Sequence, residues 1–156
     1  FCVLKREDKK DITEEDIKEG ANMTASYSSA WKANASNIDV YYVDPSQVTL
    51  SPPPGEYLTK GSFYISGKRN YLNKVELKVY LNVYLDKDGV ELNVSPTKKS
   101  EIYFLLKPGN TSRKAAISLI RKQIAEKAGY DIPVDEIDKR LPSGGLEIVE
   151  SQVILK

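Results

Sequence analysis

In the first part of the chain, polar turns separate short apolar runs, and this pattern predicts strands that flank a helix. Residues 1–4 have the character of the tail of a strand. Thr13 is a suitable N-cap for a helix that runs to about residue 34, because acidic side chains, which favour the first turn of a helix, follow it directly. Residues 38–43 are β-branched and aromatic, which is typical of a strand. The interior face of the predicted helix is built mainly of small residues, so we expect the helix to pack closely on strands.

The second half of the chain shows the clearest alternation. Apolar and polar side chains alternate over residues 75–85, which predicts one half-buried strand. Residues 86–89 then form a hairpin turn and residues 90–94 the return strand. The remaining pattern predicts a strand at 101–106, helices at 112–128 and 132–141, and a final strand at 146–155.

This order of elements predicts the fold class. We expect an α/β (α+β) fold with a mixed, largely antiparallel sheet and packed helices, arranged in two small lobes. A chain of 156 residues is long enough for one domain or for two small lobes with a shared core. The change of pattern near Asn73 places the boundary between residues 1–72 and residues 73–156.

Composition narrows the possible chemistry. The sequence contains no histidine, which excludes Ser-His and Cys-His nucleophilic sites and histidine metal ligands. Cys2 is the only cysteine, so the chain has no internal disulfide, and we expect Cys2 to be buried in a strand. We therefore predict no enzyme activity, no cofactor and no metal site.

The same composition bears on location. No apolar run approaches the length needed to cross a bilayer, and no signal peptide is evident, so we expect a cytoplasmic protein without a membrane partner. The chain does not begin with Met, and we expect the remainder of a longer protein upstream.

Charge is distributed unevenly although the net charge is only +1. Residues 7–19 are mostly acidic, whereas residues 60–78 carry five basic side chains against Glu76 alone. A second basic stretch lies between residues 98 and 122. This local polarisation is more informative about partners than the net charge is.

The segment 54–70 is the main candidate for a binding site. The three prolines of residues 51–55, where it begins, predict a stiff loop, residues 62–66 predict a strand, and residues 67–70 predict a basic turn. Aromatic side chains alternate with cations here, as contacts to RNA bases and phosphates require. The alternative is a solvated hairpin with Phe63 and Ile65 facing the core, and composition alone favours this alternative.

Three other motifs have simpler structural explanations. The basic residues of 107–114 precede a helix and could hold a phosphate, but they lack P-loop spacing and are typical of an ordinary capped helix. Ser28 and Lys32 have the spacing of a Ser-Lys pair, yet small residues packed in a helix explain them. The acidic run 7–19 lacks the ligand spacing of an EF-hand and indicates a solvated helix start.

Four blocks, at residues 24–32, 40–43, 54–63 and 67–72, resemble in order and spacing the RNA-binding domain of the NFACT family, the fibronectin-binding-protein-A-like ribosome quality-control factors. Residues 1–72 resemble the second half of that domain. Residues 73–156 resemble the C-terminal extension of archaeal-type members.

The resemblance implies an RNA-contacting module, not a catalyst. Family members bind large ribosomal subunits that carry stalled nascent chains, recruit tRNA and support template-free addition of residues to the nascent chain. The resemblance thus implies tRNA and large-subunit ribosomal RNA as partners. The family's Asp-x-His element, expected just before Phe1, is not present in this chain.

We assign roles within the segment on this basis. Trp31 and Phe63 would hold the core beneath it. A protein–protein docking module, meeting a ribosomal protein or another partner, is the alternative. The predicted RNA-binding residues are Lys60, Lys68, Arg69, Asn70, Tyr57 and Tyr64, with the cations on phosphates, the tyrosines stacking, and the loop shaped by Pro54, Gly55, Gly61 and Gly67.

Overall fold

A computed structural model of the chain describes residues 2–5, 11–50 and 63–153. A short 3₁₀ helix, Pro45–Gln47, precedes the second strand. The α-helices are α1 (Glu14–Ser26), α2 (Ser29–Lys32), α3 (Arg113–Ala128) and α4 (Val134–Asp138). The strands are β1 (Asn37–Tyr42), β2 (Val48–Thr49), β3 (Tyr64–Ile65), β4 (Asn70–Glu76), β5 (Val79–Asp86), β6 (Gly89–Ser95), β7 (Ile102–Thr111) and β8 (Leu146–Gln152).

Every strand pair in the described residues is antiparallel. β1 pairs with β4, β2 pairs with β3, and the larger sheet has the order β6-β5-β7-β8. The predicted fold class, mixed α/β with largely antiparallel pairing, is confirmed. None of the described helices has the length and apolar character needed to cross a membrane.

The first helix begins where the sequence predicts but ends earlier. The Thr13 hydroxyl accepts a hydrogen bond from the Asp16 amide, and the Asp16 carboxylate accepts one from the Thr13 amide. The predicted extension to residue 34 is wrong. Ser28 interrupts the helix and caps α2, since its hydroxyl oxygen accepts a bond from the amide of Ala30.

The single strand predicted at 75–85 is also wrong. β4 and β5 belong to different sheets, and the chain leaves the first at Leu77. The amide of Leu77 donates to the carbonyl of Ser36 just beyond β1, whereas the amide of Lys78 donates to the Ser26 hydroxyl, so the ladder with β1 does not continue past Leu77. The alternation persists through the break because Leu77 and Val79 are buried and Val75 is half-buried.

The N-terminal residues differ from the prediction. Residues 2–5 have no regular secondary structure, and Cys2 is exposed instead of buried in a strand. A strand requires a neighbour for its backbone hydrogen bonds, and no described strand pairs with this segment.

The boundaries of α3 are close to the prediction. β7 continues to Thr111, so the N-cap is Ser112, whose hydroxyl oxygen accepts from the Ala115 amide, and the helix begins one residue later than predicted. Gly129 ends the helix in the left-handed conformation. The apolar side of α3 is buried at Ala116, Ile117, Ile120 and Ile124.

One buried cluster extends through both halves of the chain. It contains Ala21, Ala25 and Trp31 together with side chains from β5, β7, α3 and α4. The indole N–H of Trp31 donates to the carbonyl of Gly145 at 3.0 Å. The prediction that Trp31 anchors the core is confirmed, and its packing ties the first helices to the turn before β8.

Candidate nucleic-acid interface

The predicted RNA-binding segment is only partly within the described residues. Its described members are Tyr64, Gly67, Lys68, Arg69 and Asn70. The members that lie outside the described residues are Pro54, Gly55, Tyr57, Lys60 and Gly61.

Gln47 holds the loop that joins β3 to β4. Its side-chain N–H group donates to the carbonyls of Ser66 at 2.7 Å and Lys68 at 2.8 Å. Its side-chain oxygen accepts from the amide of Asp44 at 3.0 Å. The amide of Ser66 donates back to the Gln47 carbonyl, so the backbone that carries Lys68 is fixed from both sides.

Gly67 gives this loop its bend. Its φ of 76° lies in the left-handed region, and a Cβ at this position would lie 3.2 Å from the side-chain nitrogen Nε2 of Gln47. The turn predicted over residues 67–70 is shorter in the structure, because Asn70 already belongs to β4. The side chain of Asn70 donates to the carbonyl of Tyr42 at 3.3 Å.

Lys68 and Arg69 are exposed, and neither forms an ion pair with any other described residue. The Arg69 guanidinium lies over the ring of Tyr41, 5.0 Å from its centroid. Stacking on a ring occupies the face of the guanidinium and leaves its N–H edges available to an anion. These two cations therefore suit phosphate contact.

The second basic stretch is different because four of its cations form ion pairs with carboxylates. Lys107 lies 2.6 Å from Glu76, and this contact lowers the pKa of Glu76 below its usual value. Arg113 contacts Asp138 at 2.7 Å, and Arg121 contacts Asp131 at 3.0 Å. These local pairs leave less charge for a nucleic acid than the loop at residues 66–69 offers.

An exposed aromatic pair beside Arg69 was not singled out from the sequence. Tyr41 of β1 and Tyr71 of β4 are direct cross-strand partners with ring centroids 5.6 Å apart and planes inclined by 56°. They are 39% and 60% exposed. The only sequence signal for this pair is the alternation of side chains within β1 and β4, which places each tyrosine on the outer face. That the two rings are partners depends on the strand register, which the alternation does not give.

The predicted aromatic residues of the segment have mixed positions. Tyr64 is half-buried in β3, opposite Thr49. Phe63 is 43% exposed, so the prediction that it holds the core is wrong. β3 is only two residues long, and Phe63 precedes it, so it lacks the strand geometry that would direct it inward.

The remaining motifs have structural roles. The Ser28 hydroxyl donates to the Ala25 carbonyl at 2.7 Å and lies at the N-cap, so it does not share a helix face with Lys32. Arg113, in the basic stretch before α3, is bound to Asp138. In the described part of the chain, no cluster of carboxylate and cysteine side chains is arranged to hold a metal ion.

Comparison with known proteins gives the family context. Residues 1–67 match the family described as the NFACT protein RNA binding domain. The archaeal Rqc2 homolog aRqcH of Methanocaldococcus jannaschii is 34% identical over 155 residues, which cover 96% of this chain and 22% of that protein. No solved structure gives a significant match.

Animal proteins match a shorter part of the chain. The ribosome quality control complex subunit NEMF of Homo sapiens is 39% identical over 71 residues, 46% of this chain and 6% of its own length. The Drosophila melanogaster NEMF homolog is 38% identical over 73 residues, 47% of this chain and 7% of its own length. The chain thus spans about a fifth of the archaeal relative and less than a tenth of the animal ones. From these matches, the chain belongs to the NFACT family, with residues 1–67 matching its RNA-binding domain.

Proposed function

We propose that this chain is the RNA-contacting part of a ribosome-associated quality-control factor, and that it binds tRNA and large-subunit ribosomal RNA. The ribosomal context comes from the names of the animal relatives, which are subunits of the ribosome quality control complex. The RNA-binding role comes from the family match at residues 1–67. A role on the ribosome also implies a cytoplasmic location. The chain then acts by binding, without a catalytic step of its own.

The observation that carries this proposal is the pair Lys68 and Arg69 on a fixed loop. Both cations are exposed and lack acidic partners in the described part of the chain, while Gln47 fixes the backbone before them. A preorganised pair of cations binds phosphates without paying the entropy of ordering a loop. We assign both side chains to backbone phosphates.

The other predicted residues have supporting roles in this proposal. Tyr64 lies half-buried at the start of the same loop, where its ring would contact ribose or base at the edge. Asn70 is engaged with Tyr42, so it would contribute mainly by holding β4 in place. Lys60 and Tyr57 lie outside the described residues and remain predictions for phosphate contact and stacking, as do Pro54, Gly55 and Gly61 for loop shape.

The division of the chain is also a proposal. We assign residues 1–72 to the RNA-binding domain and residues 73–156 to a C-terminal extension of the archaeal type. The matches support this division because the archaeal relative aligns with 96% of the chain, whereas the animal relatives align with less than half of it.

The double substitution Lys68→Ala with Arg69→Ala tests the RNA-binding role. Loss of two phosphate contacts should weaken binding to tRNA or large subunits. It should also reduce the slope of log affinity against log salt by about 1.4 to 1.8. A salt titration of binding to labelled tRNA measures both quantities.

The matched control is Lys122→Ala with Lys127→Ala on α3, which removes the same charge from exposed positions elsewhere. We expect the control to keep the wild-type slope. If the loop variant keeps both affinity and slope while its fold is intact, the proposed role of Lys68 and Arg69 is wrong.

A protein-docking module is the second candidate. β6 and β8 form the two edges of the larger sheet, and Val149 on β8 is exposed. Edge strands accept partner strands through their free backbone groups. Binding to a ribosomal protein together with no binding to naked RNA would favour this function over the first.

A further inference from the structure

The outer face of the β1–β4 pair presents an aromatic surface beside the cationic loop. Tyr41 and Tyr71 face each other across the two strands, while Val40 and Leu72 point to the opposite face, toward the core. Two large rings on an outer face gain little from packing with each other alone, since both remain well exposed. This arrangement suggests a ligand with a planar apolar face.

The two rings are not equally available. The Arg69 guanidinium lies over the ring of Tyr41, so that ring is already engaged on one face. Tyr71 is 60% exposed and has the tilted ring of Tyr41 as its neighbour. The free surface for stacking therefore belongs to Tyr71, and Tyr41 supports it from the side.

Cationic residues lie on both sides of Tyr71 along the chain. Arg69 precedes it by two residues, just before β4 begins, and Lys74, also exposed, follows it by three within β4. Lys74 lies in a bulge of β4: it has a φ of 53°, and its amide donates to the Asp39 carboxylate at 3.0 Å. This bond partly satisfies the carboxylate of Asp39, the acidic residue nearest to Tyr41 in the sequence.

We propose that Tyr71, supported by Tyr41, stacks one unpaired RNA base while Arg69 contacts the adjacent phosphate. A base within a duplex has both faces covered by its neighbours, so only a single-stranded or extruded nucleotide can use this ring. Stacking is tolerant of base identity, since every base has an aromatic face. The inference rests on the proposed RNA-binding function and adds a preference for unpaired RNA.

The test compares Tyr71→Leu and Tyr71→Phe in the full chain. The probe is a short single-stranded RNA that carries 2-aminopurine, whose fluorescence is quenched when the base stacks on a tyrosine ring. We expect Tyr71→Leu to weaken binding of this probe about 5- to 150-fold and to abolish the quenching. Tyr71→Phe retains the ring and should behave as wild type. The salt dependence of binding should not change, because no charge is removed.

Tyr84→Leu is the matched control, since Tyr84 is also exposed on a strand but belongs to the larger sheet. We expect it to bind the probe as wild type does. Equal affinity of the wild type for the single strand and for the matching duplex would overturn the inference, as would unchanged quenching in Tyr71→Leu.

The result separates the two proposals. If Lys68→Ala with Arg69→Ala loses affinity and salt slope while Tyr71→Leu does not, the RNA-binding function stands and base stacking on Tyr71 is wrong. If the wild-type chain binds neither form of RNA, both proposals are wrong.

Discussion

Among single residues, Tyr27 makes a contact that joins distant parts of the chain. Its hydroxyl donates to the carbonyl of Arg140, in the turn that follows α4. Tyr27 is partly exposed, yet burial at this contact raises the pKa of its hydroxyl to about 12. The folded protein therefore holds this proton more tightly than the unfolded chain does.

Tyr27→Phe tests this contact through its pH dependence. Below the unfolded pKa of 10 the wild type should be more stable by about 0.5–1.5 kcal/mol, the usual contribution of a hydrogen bond. Between 10 and about 12 the unfolded chain loses the proton first, so rising pH removes this advantage. Urea unfolding at several pH values measures the difference, with Tyr71→Phe as an exposed control. A difference that does not decrease over this range would contradict the assignment.

The sequence predicts the burial of a single residue well only where burial depends on the residue itself and its own helix, and not on strand pairing. Trp31 is predicted to lie in the core as the one large side chain on a helix face of small residues, and it is buried. Phe63 and Cys2 were also expected inside, but both are exposed because the strands expected to carry them are absent or too short. For these two residues, burial depends on pairing partners elsewhere in the chain.

Among the structural elements, the loop between β3 and β4 depends on one side chain. Gln47→Ala removes two bonds to the loop carbonyls and one from the Asp44 amide. The bonds are exposed, so we expect a loss of only about 1 kcal/mol in global stability. We expect faster hydrogen exchange at residues 66–68 and several-fold weaker RNA binding, because the cations are no longer held in position.

The salt dependence identifies the cause of this effect. Gln47→Ala removes no charge, so the slope of affinity against salt should stay near that of the wild type. Gln123→Ala on α3 provides the matched control for loss of a glutamine. Unchanged exchange at residues 66–68 would show that Gln47 does not fix the loop.

Periodicity predicted most elements but could not assign strands to sheets. The alternation over 75–85 continues across Leu77, although the chain changes sheet there, because a buried residue is apolar in either sheet. The pairing of Tyr41 with Tyr71 has the same limitation. It depends on a bulge in which Lys74 takes a left-handed conformation, and no local pattern predicts this conformation for lysine. The composition of residues 60–78 indicates a binding surface. The pairing of Tyr71 with Tyr41 on that surface can be predicted only when the strand register is known.

At the scale of the whole molecule, the buried cluster crosses the proposed boundary after residue 72. Trp31 lies before it, and its indole is bonded to Gly145 after it. Ile137 of α4 belongs to the same cluster and is fully buried. Two halves that share one core should unfold together, even if each resembles a separate unit in sequence.

Ile137→Ala tests this coupling, with Trp31, the single tryptophan of the chain, as the reporter. The cavity should lower the free energy of unfolding by about 2–5 kcal/mol. If the core is shared, the urea midpoint of Trp31 fluorescence and that of far-UV circular dichroism should fall by the same amount. Leu119→Ala makes a comparable truncation at a position that is 49% exposed, so its midpoints should stay near those of the wild type. A wild-type midpoint for Trp31 fluorescence, combined with a lowered dichroism midpoint, would instead mean that the two halves unfold independently.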